Sequence, residues 1–451
     1  MRTYMFSTLC VVSLIACSND GDGDSHGANG TGGSSGTGGS SGTGGSSATG
    51  GSSGTGGTSA TGGAAGTAGG PADDSCASVR LTSYTASAKG WCEYDRTLPI
   101  LPSFVREGMT LAIAEPYNRS SYEGEVGESC GECWELDTLA DTRIVMVHDL
   151  CPIEGNPLCA GGHFHFDLSG EAAKVLDAQG LFEGQTRRVP CPVDGNVHIQ
   201  ILDRNEWGYV RFQFVNHRIP IRNADYRADN DTVWRPVQRS GGAWHVLDDN
   251  KTFASGSPGG VFRITSAQGE ILECPRVLPY AQSKGTVFDL GAQLTDQHPS
   301  SGGTCVFEPP RVVFDDDYGG IDKVRWTMNP WGGASDSKVT EGCFQGACIR
   351  VDNLGQWEGF HIYYRQAFPP SIFSKLTMRV RSTLENSEIT VAPSYQGDRC
   401  QETSVNVETD WSDVSIEIAS VCAEQPLIDA VTVSNQGKPT VILLDDVMFE
   451  K

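Results

Sequence analysis

Short runs in which apolar and polar residues alternate dominate the chain beyond residue 75. Examples lie at 110–114, 143–147 and 197–201, and groups of Gly, Pro, Asn and Asp separate such runs about every ten residues. Successive side chains of a β-strand point to opposite faces, so alternation with a period of two is typical of strands that bury one face. The pattern therefore predicts a mainly β fold.

Two breaks divide this β-rich region. The segment Pro-Cys-Pro-Val-Asp-Gly-Asn at 190–196 is typical of a short hinge, and a second break, rich in Gly, Ser, Thr and Pro, extends from about 280 to 310. We predict, in order, a signal peptide, a tether, a first and a second β domain, a linker and a third β domain, with boundaries at 1–17, 18–75, 76–192, 193–280, 281–305 and 306–451.

The N-terminus has the features of an export signal. Arg2 precedes an apolar stretch at 6–16, and Leu-Ile-Ala leads into Cys17, as in bacterial lipoprotein signals whose cysteine is acylated. The stretch is too short for a stable transmembrane helix. An ordinary secretory signal with a chance cysteine is the alternative. The protein is thus expected to be exported, either lipid-anchored through Cys17 to the bacterial outer membrane or cell surface, or secreted.

The tether at 18–75 consists almost entirely of Gly, Ser, Thr and Ala. The unit Gly-Thr-Gly-Gly-Ser-Ser recurs from residues 30, 36 and 42. Such a segment buries no core and behaves as a flexible coil with an end-to-end distance of about 40 Å. It would let the β domains reach away from a membrane.

The net charge limits the classes of partner. The chain carries 33 Lys and Arg against 56 Asp and Glu, a formal charge of −23. This excess of negative charge would repel a phosphate backbone, so nucleic-acid binding is not expected. A neutral polymer remains an acceptable partner.

The cysteine count fits an exported protein. Of fifteen cysteines, removal of Cys10 with the signal and acylation of Cys17 leave thirteen, so at least one thiol is expected to be unpaired or intermolecular. The third domain contains four cysteines, enough for two bridges, at Cys343, Cys348, Cys400 and Cys422.

Three segments of the first domain carry its most specific motifs. They are Gly-Glu-Ser-Cys-Gly-Glu-Cys-Trp-Glu-Leu at 127–136, Val-His-Asp-Leu-Cys-Pro at 147–152 and His-Phe-Asp-Leu-Ser at 165–169. In this order and spacing they resemble the six-stranded double-psi β-barrel of expansins and family 45 endoglucanases. Cys130 and Cys133 by themselves would also fit a redox pair or half a zinc site. Export, and the lack of a second pair at zinc spacing, favour disulfides with distant partners.

Asp167 is the strongest candidate for chemistry. The resemblance implies that it lies at the floor of an open polysaccharide groove and that it corresponds to the general acid of the related hydrolases. A carboxyl group between Phe166 and Leu168 is expected to have a raised pKa, so that it can donate a proton or a hydrogen bond. Alternatively, Asp167 caps the helix predicted at 170–178, although Ser169 is itself a good cap.

The resemblance also places Asp149, Thr82 and Tyr84 in the groove, although each is equally compatible with a structural role in the barrel. Inverting hydrolysis requires a second carboxylate about 6.5–9.5 Å from the acid. In the related hydrolases this base follows the aromatic residue of the first strand, whereas here Thr85 follows Tyr84. The departure favours non-hydrolytic action, and Asp95 or Asp149 as a substitute base keeps hydrolysis open.

Two histidines lie at and just before the start of the His-Phe-Asp-Leu-Ser segment. His163 and His165 alternate with Phe164 and Phe166, so both imidazoles are expected on one face of a strand and both phenyl rings on the other. With no third ligand nearby in sequence, groove-lining or surface roles are favoured over metal binding.

The second domain resembles the C-terminal domain of expansins, an immunoglobulin-like β-sandwich that binds cellulose. The resemblance rests on 207–221, where alternation sends Val210, Phe212 and Phe214 to the core. On the opposite face, rings two residues apart would lie about 6.6 Å from each other and could stack on sugars. The candidate rings are Trp207, Tyr209 and, as a third, Trp244. Alternatively, Trp207 covers the domain hinge.

The third domain resembles jelly-roll carbohydrate-binding modules through 313–318 and 441–449, its paired terminal strands. The acidic residues in these segments would suit a structural calcium ion or a solvated turn, and the sequence does not choose between them. Five aromatic residues are candidate sugar contacts or ordinary core: Trp326, Trp331, Trp357, Tyr363 and Tyr364.

The sequence thus predicts an expansin-like protein, without a cofactor, that binds cellulose or a related plant cell-wall glucan. It would loosen this polymer by disrupting hydrogen bonds between glucan chains. One alternative is an inverting endo-β-1,4-glucanase with Asp167 as its acid. A second is a non-catalytic adhesin in which 306–451 does the binding. A third is a lipoprotein transglycosylase acting on peptidoglycan, against which the cellulose-type second domain weighs.

Overall fold

The computed structural model is built almost entirely of β-strands, as predicted. The signal peptide, Cys17, the tether and His163 lie outside the described residues. None of the helices in the described part is long and apolar enough to cross a membrane. The described residues, all within the unit Gly63–Lys451, are 75–114, 127–154, 156–160, 164–178, 180–247, 252–297, 303–321 and 324–451.

The first domain is a closed six-stranded barrel with the strand order β1-β5-β2-β4-β3-β6, which confirms the predicted double-psi barrel. The pairs β1/β5 and β2/β4 are parallel and the other pairs are antiparallel. Its strands are β1 Ala77–Tyr84, β2 Thr110–Ala114, β3 Cys133–Asp137, β4 Thr142–Cys151, β5 His165–Ser169 and β6 Phe182–Val189; its helices are α1 Ser103–Arg106, α2 Pro157–Ala160 and α3 Gly170–Val175.

The segment around β5 follows its sequence pattern closely. Phe164 and Phe166 pack edge-on against each other and against the buried ring of Trp134, at centroid distances of 5.0 to 5.4 Å. The Oγ of Ser169 accepts a hydrogen bond from the backbone N–H of Ala172 and caps α3, as predicted. The helix ends at Val175, three residues earlier than expected.

The second domain is a sandwich of a four-stranded sheet (β10-β9-β13-β14) and a five-stranded sheet (β11-β12-β8-β7-β15). Val210, Phe212 and Phe214 are buried in its core, as alternation predicted. Its strands are β7 His198–Arg204, β8 Val210–Val215, β9 Ile221–Ala228, β10 Arg235–Pro236, β11 Gln238–Ser240, β12 Ala243–Val246, β13 Gly260–Ser266, β14 Ile271–Glu273 and β15 Val287–Asp289.

The sandwich extends into the segment 281–305 that the sequence pattern assigned to a linker. Strand β15 pairs with β7, and Leu290 and Leu294 are buried in the sandwich core. The glycine and serine around 281–286 are typical of a linker, so the short apolar edge strand that follows them was not predicted. The linker prediction is therefore wrong for this part of the segment.

Barrel and sandwich meet through buried polar groups. The Nε2 of His217 is 2.9 Å from the Tyr94 hydroxyl, and its Nδ1 is 3.0 Å from the backbone oxygen of Ile219. The amide of Gln213 donates to the backbone oxygens of Cys92 and Gly242. Burial lowers the pKa of His217 to about 4, so the imidazole is neutral and fixed at this interface.

The third domain is a jelly roll of two antiparallel sheets over one apolar core. One sheet contains β17-β16-β30-β22-β21 with β24 and β28, and the other contains β20-β23-β29-β25-β26 with β27. The elements are β16 Val312–Asp315, β17 Asp317–Tyr318, β18 Gly320–Ile321, β19 Val324–Arg325, β20 Thr327–Trp331, β21 Ser335–Val339, β22 Cys348–Leu354, β23 Gly359–Phe368, a 3-10 helix Pro370–Ile372, β24 Lys375–Ser382, β25 Ser387–Tyr395, β26 Asp398–Arg399, β27 Thr403–Val407, β28 Ser412–Glu417, α4 Ile418–Val421, β29 Ile428–Asn435 and β30 Thr440–Glu450.

The barrel also holds the third domain. The side chain of Gln366 pairs with both the N–H and the C=O of Glu183, at 3.0 and 2.9 Å, and the Tyr364 hydroxyl donates to the Glu183 carboxyl group at 3.0 Å. A disulfide joins Cys76, at the start of the barrel, to Cys305. The third domain is therefore attached to the barrel by a disulfide close to its first residue and by hydrogen bonds to Glu183 on β6.

The described cysteines form six disulfides. Distant partners for Cys130 and Cys133 were expected, and these are Cys92 and Cys191. Within the described part of the chain, the odd thiol is the buried Cys274. Two bridges in the third domain were also expected, and they join Cys343 to Cys348 and Cys400 to Cys422.

Acidification should weaken the barrel–sandwich interface through His217. The pKa of this group is about 4 in the folded protein against 6.5 for a free imidazole, so its contribution to stability is complete above pH 6.5 and is lost as the pH falls towards 4. We expect the free energy of urea unfolding to decrease between pH 7 and pH 4 by about 3 kcal/mol more in the wild type than in His217→Gln. Parallel pH dependences of the two proteins would contradict this role.

Candidate functional site

The register of the barrel strands brings the predicted groove residues together. Thr82 pairs with Asp167 across β1 and β5, Asp167 pairs with Ala112 across β5 and β2, and Ala112 pairs with Asp149 across β2 and β4. Four neighbouring strands thus form one row of side chains. Ala112, the smallest residue of the row, separates the two carboxyl groups.

Asp167 is half-buried at the centre of this row. Its Oδ1 is 2.7 Å from the Thr82 hydroxyl, and its Oδ2 is 3.8 Å from the Sγ of Cys151, which is disulfide-bonded to Cys159. Burial raises the pKa of Asp167, and the negative charge of Asp149 raises it further, against the opposing effect of the Thr82 hydrogen bond. Its side chain contacts Thr82 rather than the N-terminus of α3, which Ser169 caps.

Asp149 accepts three hydrogen bonds. Its donors are the Tyr84 hydroxyl at 3.2 Å and the backbone N–H groups of Trp91 at 2.7 Å and Leu150 at 2.9 Å. Burial and the charge of Asp149 strongly raise the pKa of Tyr84, so its hydroxyl remains a donor. Asp149 is thus held as an ordered acceptor between a tyrosine and a tryptophan.

Of the two substitute bases that the sequence offered, only Asp149 joins the row. Strands lie about 4.8 Å apart, so Asp167 and Asp149, two strands from each other, have their backbones about 10 Å apart. This spacing is compatible with the carboxyl separation of inverting glycosidases. Asp95 instead lies in a turn, where its carboxylate accepts from the N–H and hydroxyl of Thr97 and lies 3.9 Å from Lys89.

Trp91 is a member of the site that sequence reasoning missed. Besides its hydrogen bond to Asp149, its half-buried indole lies against the bare backbones of Gly127 and Gly241, where a Cβ would be only 3.3 and 3.6 Å from ring atoms. The indole therefore fills the space between Asp149 and the sandwich. The sequence Gly-Trp-Cys could have indicated this residue, because it places an aromatic side chain between a glycine and a cysteine that forms a disulfide.

The sandwich continues the site beyond Trp91. Arg211 on β8 forms a bidentate ion pair with Glu93 of the barrel, and its cross-strand neighbour is His245. The ring of Tyr209 lies 6.3 Å from that of His245. On the face of this sheet that points away from the core, a row of side chains thus leads from the ion pair of Glu93 and Arg211, through His245, to Tyr209.

Trp207 and Tyr209 do not lie on one regular strand as predicted. Strand β8 begins at Val210, Gly208 has φ +105°, and Trp207 forms an isolated bridge with Ala254. A turn therefore separates the two rings, and the spacing of 6.6 Å does not apply. Trp207 is 64% exposed and covers no hinge.

Trp244 is not a surface ring. It is 4% exposed, packs edge-on against Phe214 at 5.6 Å and carries the guanidinium of Arg239 over its ring at 3.9 Å. Its side chain points into the sandwich because it pairs with Phe212, which is itself inward-facing. The expectation that it contributes a third stacking ring is wrong.

Comparisons of sequence found expansins among the relatives of the chain. No protein-family model matches the chain. Expansin-like protein 1 of Dictyostelium discoideum is 30% identical over 167 residues, which cover 35% of this chain and 54% of the relative. Expansin-B11 of Oryza sativa subsp. japonica is 28% identical over 192 residues, or 38% of this chain and 62% of the relative. The chain is thus similar to expansins over part of its length. It spans about half the length of the curated relatives that it matches.

Solved structures with similarity to the chain include an expansin of Clavibacter michiganensis. It has 20% identity and a TM-score of 0.37, and the match covers 50% of this chain and all of that protein. A family 11 carbohydrate-binding module from Clostridium thermocellum has 14% identity and a TM-score of 0.24, covering 30% of this chain and 91% of the module.

The five candidate aromatic residues of the third domain differ in how deeply they are buried. Trp326 and Tyr364 belong to the core. Trp331 lies between the ring of His361, at 4.7 Å, and the guanidinium of Arg399, at 5.5 Å. Trp357 and Tyr363 remain accessible, with 67% and 36% of their surfaces exposed.

Acidic side chains near the two ends of the third domain accept hydrogen bonds from backbone N–H groups. Asp445 accepts from the N–H groups of Gln345 and Asp446, and Asp316 accepts from that of Ala347. Among the described residues, no group of three or more His, Cys, Asp or Glu side chains is arranged to hold a metal ion. Asp445 and Asp316 are thus ordered by hydrogen bonds from the backbone.

Removing the charge of Asp149 should lower the pKa of Asp167, because that charge helps to raise it. We expect Asp149→Asn to shift the carboxyl titration of Asp167 to lower pH, measured by NMR with carbon-13-labelled aspartate. Asp95→Asn is the matched control and should leave the Asp167 titration in place. An unchanged midpoint in Asp149→Asn would show that the two carboxyl groups do not interact.

Proposed function

We propose that the barrel and the sandwich bind a β-glucan chain along one surface and loosen it from its neighbours without hydrolysis. One observation carries the proposal: the candidate residues form a continuous series of contacts. The series begins at Thr82 and Asp167, passes through Asp149 and Trp91, and ends on the sandwich face. Hydrogen-bonding groups lie at one end of this series and two aromatic rings, the half-buried Tyr209 and the exposed Trp207, at the other. A neutral chain of hydroxyl groups and flat sugar faces suits both ends.

Asp167 is the proposed centre of this action. Its carboxyl group offers an oxygen that can accept a hydrogen bond from a sugar hydroxyl, in place of the partner that this hydroxyl has in a packed glucan. Exchanging hydrogen bonds between glucan chains for hydrogen bonds to the protein costs little net free energy, because each bond lost is replaced. Thr82, Tyr84 and Asp149 would complete the hydrogen-bonding surface.

The occupancy of Asp149 supports the non-hydrolytic action. A general base must offer a lone pair to a water molecule, and the three hydrogen bonds that Asp149 accepts from Tyr84, Trp91 and Leu150 leave only one of its roughly four lone-pair sites for this. The main competing function is an inverting β-1,4-glucanase, which the separation of the two carboxyl groups permits.

Export is part of the proposal. Six disulfides in the described residues suit an oxidising compartment. Acylation of Cys17 would then anchor the tether, and through it the β domains, to a membrane. Metabolic labelling with palmitate, lost in Cys17→Ala, is the direct measurement.

The proposed function is tested with the full chain, Asp167→Ala and Trp91→Ala. We expect the wild type to weaken a cellulose sheet without releasing reducing sugar from amorphous cellulose or soluble β-glucan. Asp167→Ala should lose the weakening, since it removes both carboxyl oxygens, whereas an amide would keep an acceptor and a donor at this site. Trp91→Ala should reduce affinity for cellohexaose about tenfold, the loss expected for one stacked ring of ~1.4 kcal/mol.

Trp234→Ala is the control for the tryptophan variant, because this ring packs between Arg227 and Arg263 on the other sheet of the sandwich. It should bind cellohexaose as the wild type does. Release of sugar that disappears in Asp167→Ala would overturn the non-hydrolytic proposal and leave a glucanase.

We infer a second binding function for the third domain. Its six-stranded sheet carries an outward-facing ladder of hydroxyl groups, with Thr390 2.7 Å from Ser434 and Ser394 2.7 Å from Thr432. The Nδ1 of His361 is also 2.7 Å from the Thr432 hydroxyl. These small polar residues are almost fully buried.

A cavity of about 320 Å³, the groove of this domain, is connected to the ladder through His361 and is lined by Asn329, His361, Tyr363, Gln396, Gly397, Asp429 and Ala430. Two amides and one accessible ring in its lining are features that suit a single neutral sugar chain. This function stands beside that of the barrel, since it depends on different residues.

Tyr363→Ala should therefore weaken retention of the full chain on soluble β-glucan about tenfold in affinity electrophoresis. Phe344→Ala is the matched control, since this exposed ring lies under Arg379 of the other sheet and away from the groove. Sheet weakening at saturating protein should persist in Tyr363→Ala. If Tyr363→Ala abolishes weakening as well as retention, the third domain is the principal binder and the adhesin alternative is favoured.

A further inference from the structure

His165 has a place in the barrel that its sequence pattern did not reveal. It is fully buried, pairs with Arg80 across β1 and β5, and lies two residues before Asp167 on the same face of β5. It therefore lies beneath the row of groove residues rather than on the surface. Its two ring nitrogens have well-defined neighbours.

The hydrogen on the Nδ1 of His165 follows from its surroundings. This nitrogen is 2.9 Å from the backbone oxygen of Leu158, and a carbonyl oxygen only accepts. The Nη2 of Arg80 donates to the same oxygen. The 3.3 Å between Nη2 and Nδ1 is thus the separation of two donors that share one acceptor, and Nδ1 carries a hydrogen.

The Nε2 of His165 faces the Thr82 hydroxyl at 2.7 Å, and that hydroxyl also lies 2.7 Å from the Oδ1 of Asp167. A hydroxyl has one hydrogen to donate. Between a neutral imidazole and an ionised carboxylate, one of these two short contacts would join two acceptors. The three groups therefore need one further proton, on Nε2 or on Oδ1.

We propose that His165 is a positioning residue that shares one proton with Asp167 through the Thr82 hydroxyl. In one arrangement the proton is on Oδ1, which donates to the Thr82 oxygen while the Thr82 hydrogen is donated to Nε2. In the other the proton is on Nε2, which donates to the Thr82 oxygen while the Thr82 hydrogen is donated to Oδ1. Passage between them moves two hydrogens along the chain and converts a neutral pair into an ion pair.

The neighbouring charges select the neutral arrangement. The guanidinium of Arg80 beside Nδ1 opposes an imidazolium, and the carboxylate of Asp149 opposes a second negative charge at Asp167. Tyr84, which faces both carboxyl groups, keeps its proton. The shared proton therefore rests on Oδ1 and points inward at Thr82.

This arrangement fixes which functions Asp167 presents to a ligand, and here the inference rests on the proposed function. With its proton turned inward, Asp167 offers Oδ2 to the groove as an acceptor for a sugar hydroxyl. Presenting a proton outward on Oδ2 would require a second proton on His165. The network thus disfavours the outward-facing acid that glycoside hydrolysis needs.

The test uses NMR of the full chain with nitrogen-15-labelled histidine and carbon-13-labelled aspartate. At pH 7 we expect Nδ1 of His165 to be protonated and Nε2 to have the shift of a bare acceptor nitrogen. The imidazole signals of His165 and the carboxyl signal of Asp167 should move together on titration. Coupling should persist in Thr82→Ser and vanish in Thr82→Val, which has the same shape without the hydroxyl.

A protonated Nε2 with a bare Nδ1, or coupling that survives Thr82→Val, would overturn the proposal. A second measurement uses the pH profile of sheet weakening, whose midpoint should shift by at least one pH unit in Thr82→Val and not in Thr82→Ser. A displaced midpoint in both variants would also contradict it. The NMR result does not depend on weakening activity, so it distinguishes failure of the shared proton from failure of the proposed function.

Discussion

Closure of the barrel in the order β1-β5-β2-β4-β3-β6 is the constraint on which the candidate site depends. Strand β5 is placed between β1 and β2, so that one residue of β5 has neighbours on both sides. Asp167 occupies that position, with Thr82 on one side and Ala112 on the other. A one-residue slip in either pairing would turn the carboxyl group to the apolar face, beside the rings of Trp134 and Phe166.

The barrel is also the body to which the other two domains attach, and the two attachments respond to pH in opposite directions. His217, between barrel and sandwich, has a lowered pKa, so its contribution to stability is lost on acidification. Glu183, between barrel and third domain, has its pKa raised by burial to about 7 from 4.5. Its contribution is complete below pH 4.5 and is lost as the pH rises through 7. In weakly acidic solution, between pH 4.5 and 6.5, each group therefore supplies part of its contribution.

Aromatic residues are divided between core and surface in a way that separates structure from binding. The barrel buries Trp134, the sandwich buries Trp244, and the third domain buries Trp326. Of the accessible rings, Tyr363 lies on strand β23, whereas Trp207 and Trp357 lie in irregular segments. Trp207 follows a turn and Trp357 has φ +68° in another, so each is presented by an irregular backbone rather than by a sheet face.

Local sequence determined which residues form strands and which side of each strand is apolar. Alternation identified the buried faces of β5 and β8, and the placement of Ser169 identified the start of α3, because these features depend on neighbours a few residues apart. The motif around Asp167 identified the acid and its groove partners through resemblance. The even cysteines of the third domain likewise implied its two bridges.

Tertiary structure decided which of these faces meets another layer and which meets solvent. Whether Trp244 is core or surface depends on its pairing with Phe212, and whether Trp91 belongs to the site depends on glycines 36 and 150 residues away in the chain. The same holds for the proton shared by His165 and Asp167, since Thr82 is more than 80 residues from both. Periodicity fixes the orientation of a side chain relative to its own strand, whereas its partners are fixed only when distant strands pair and domains pack.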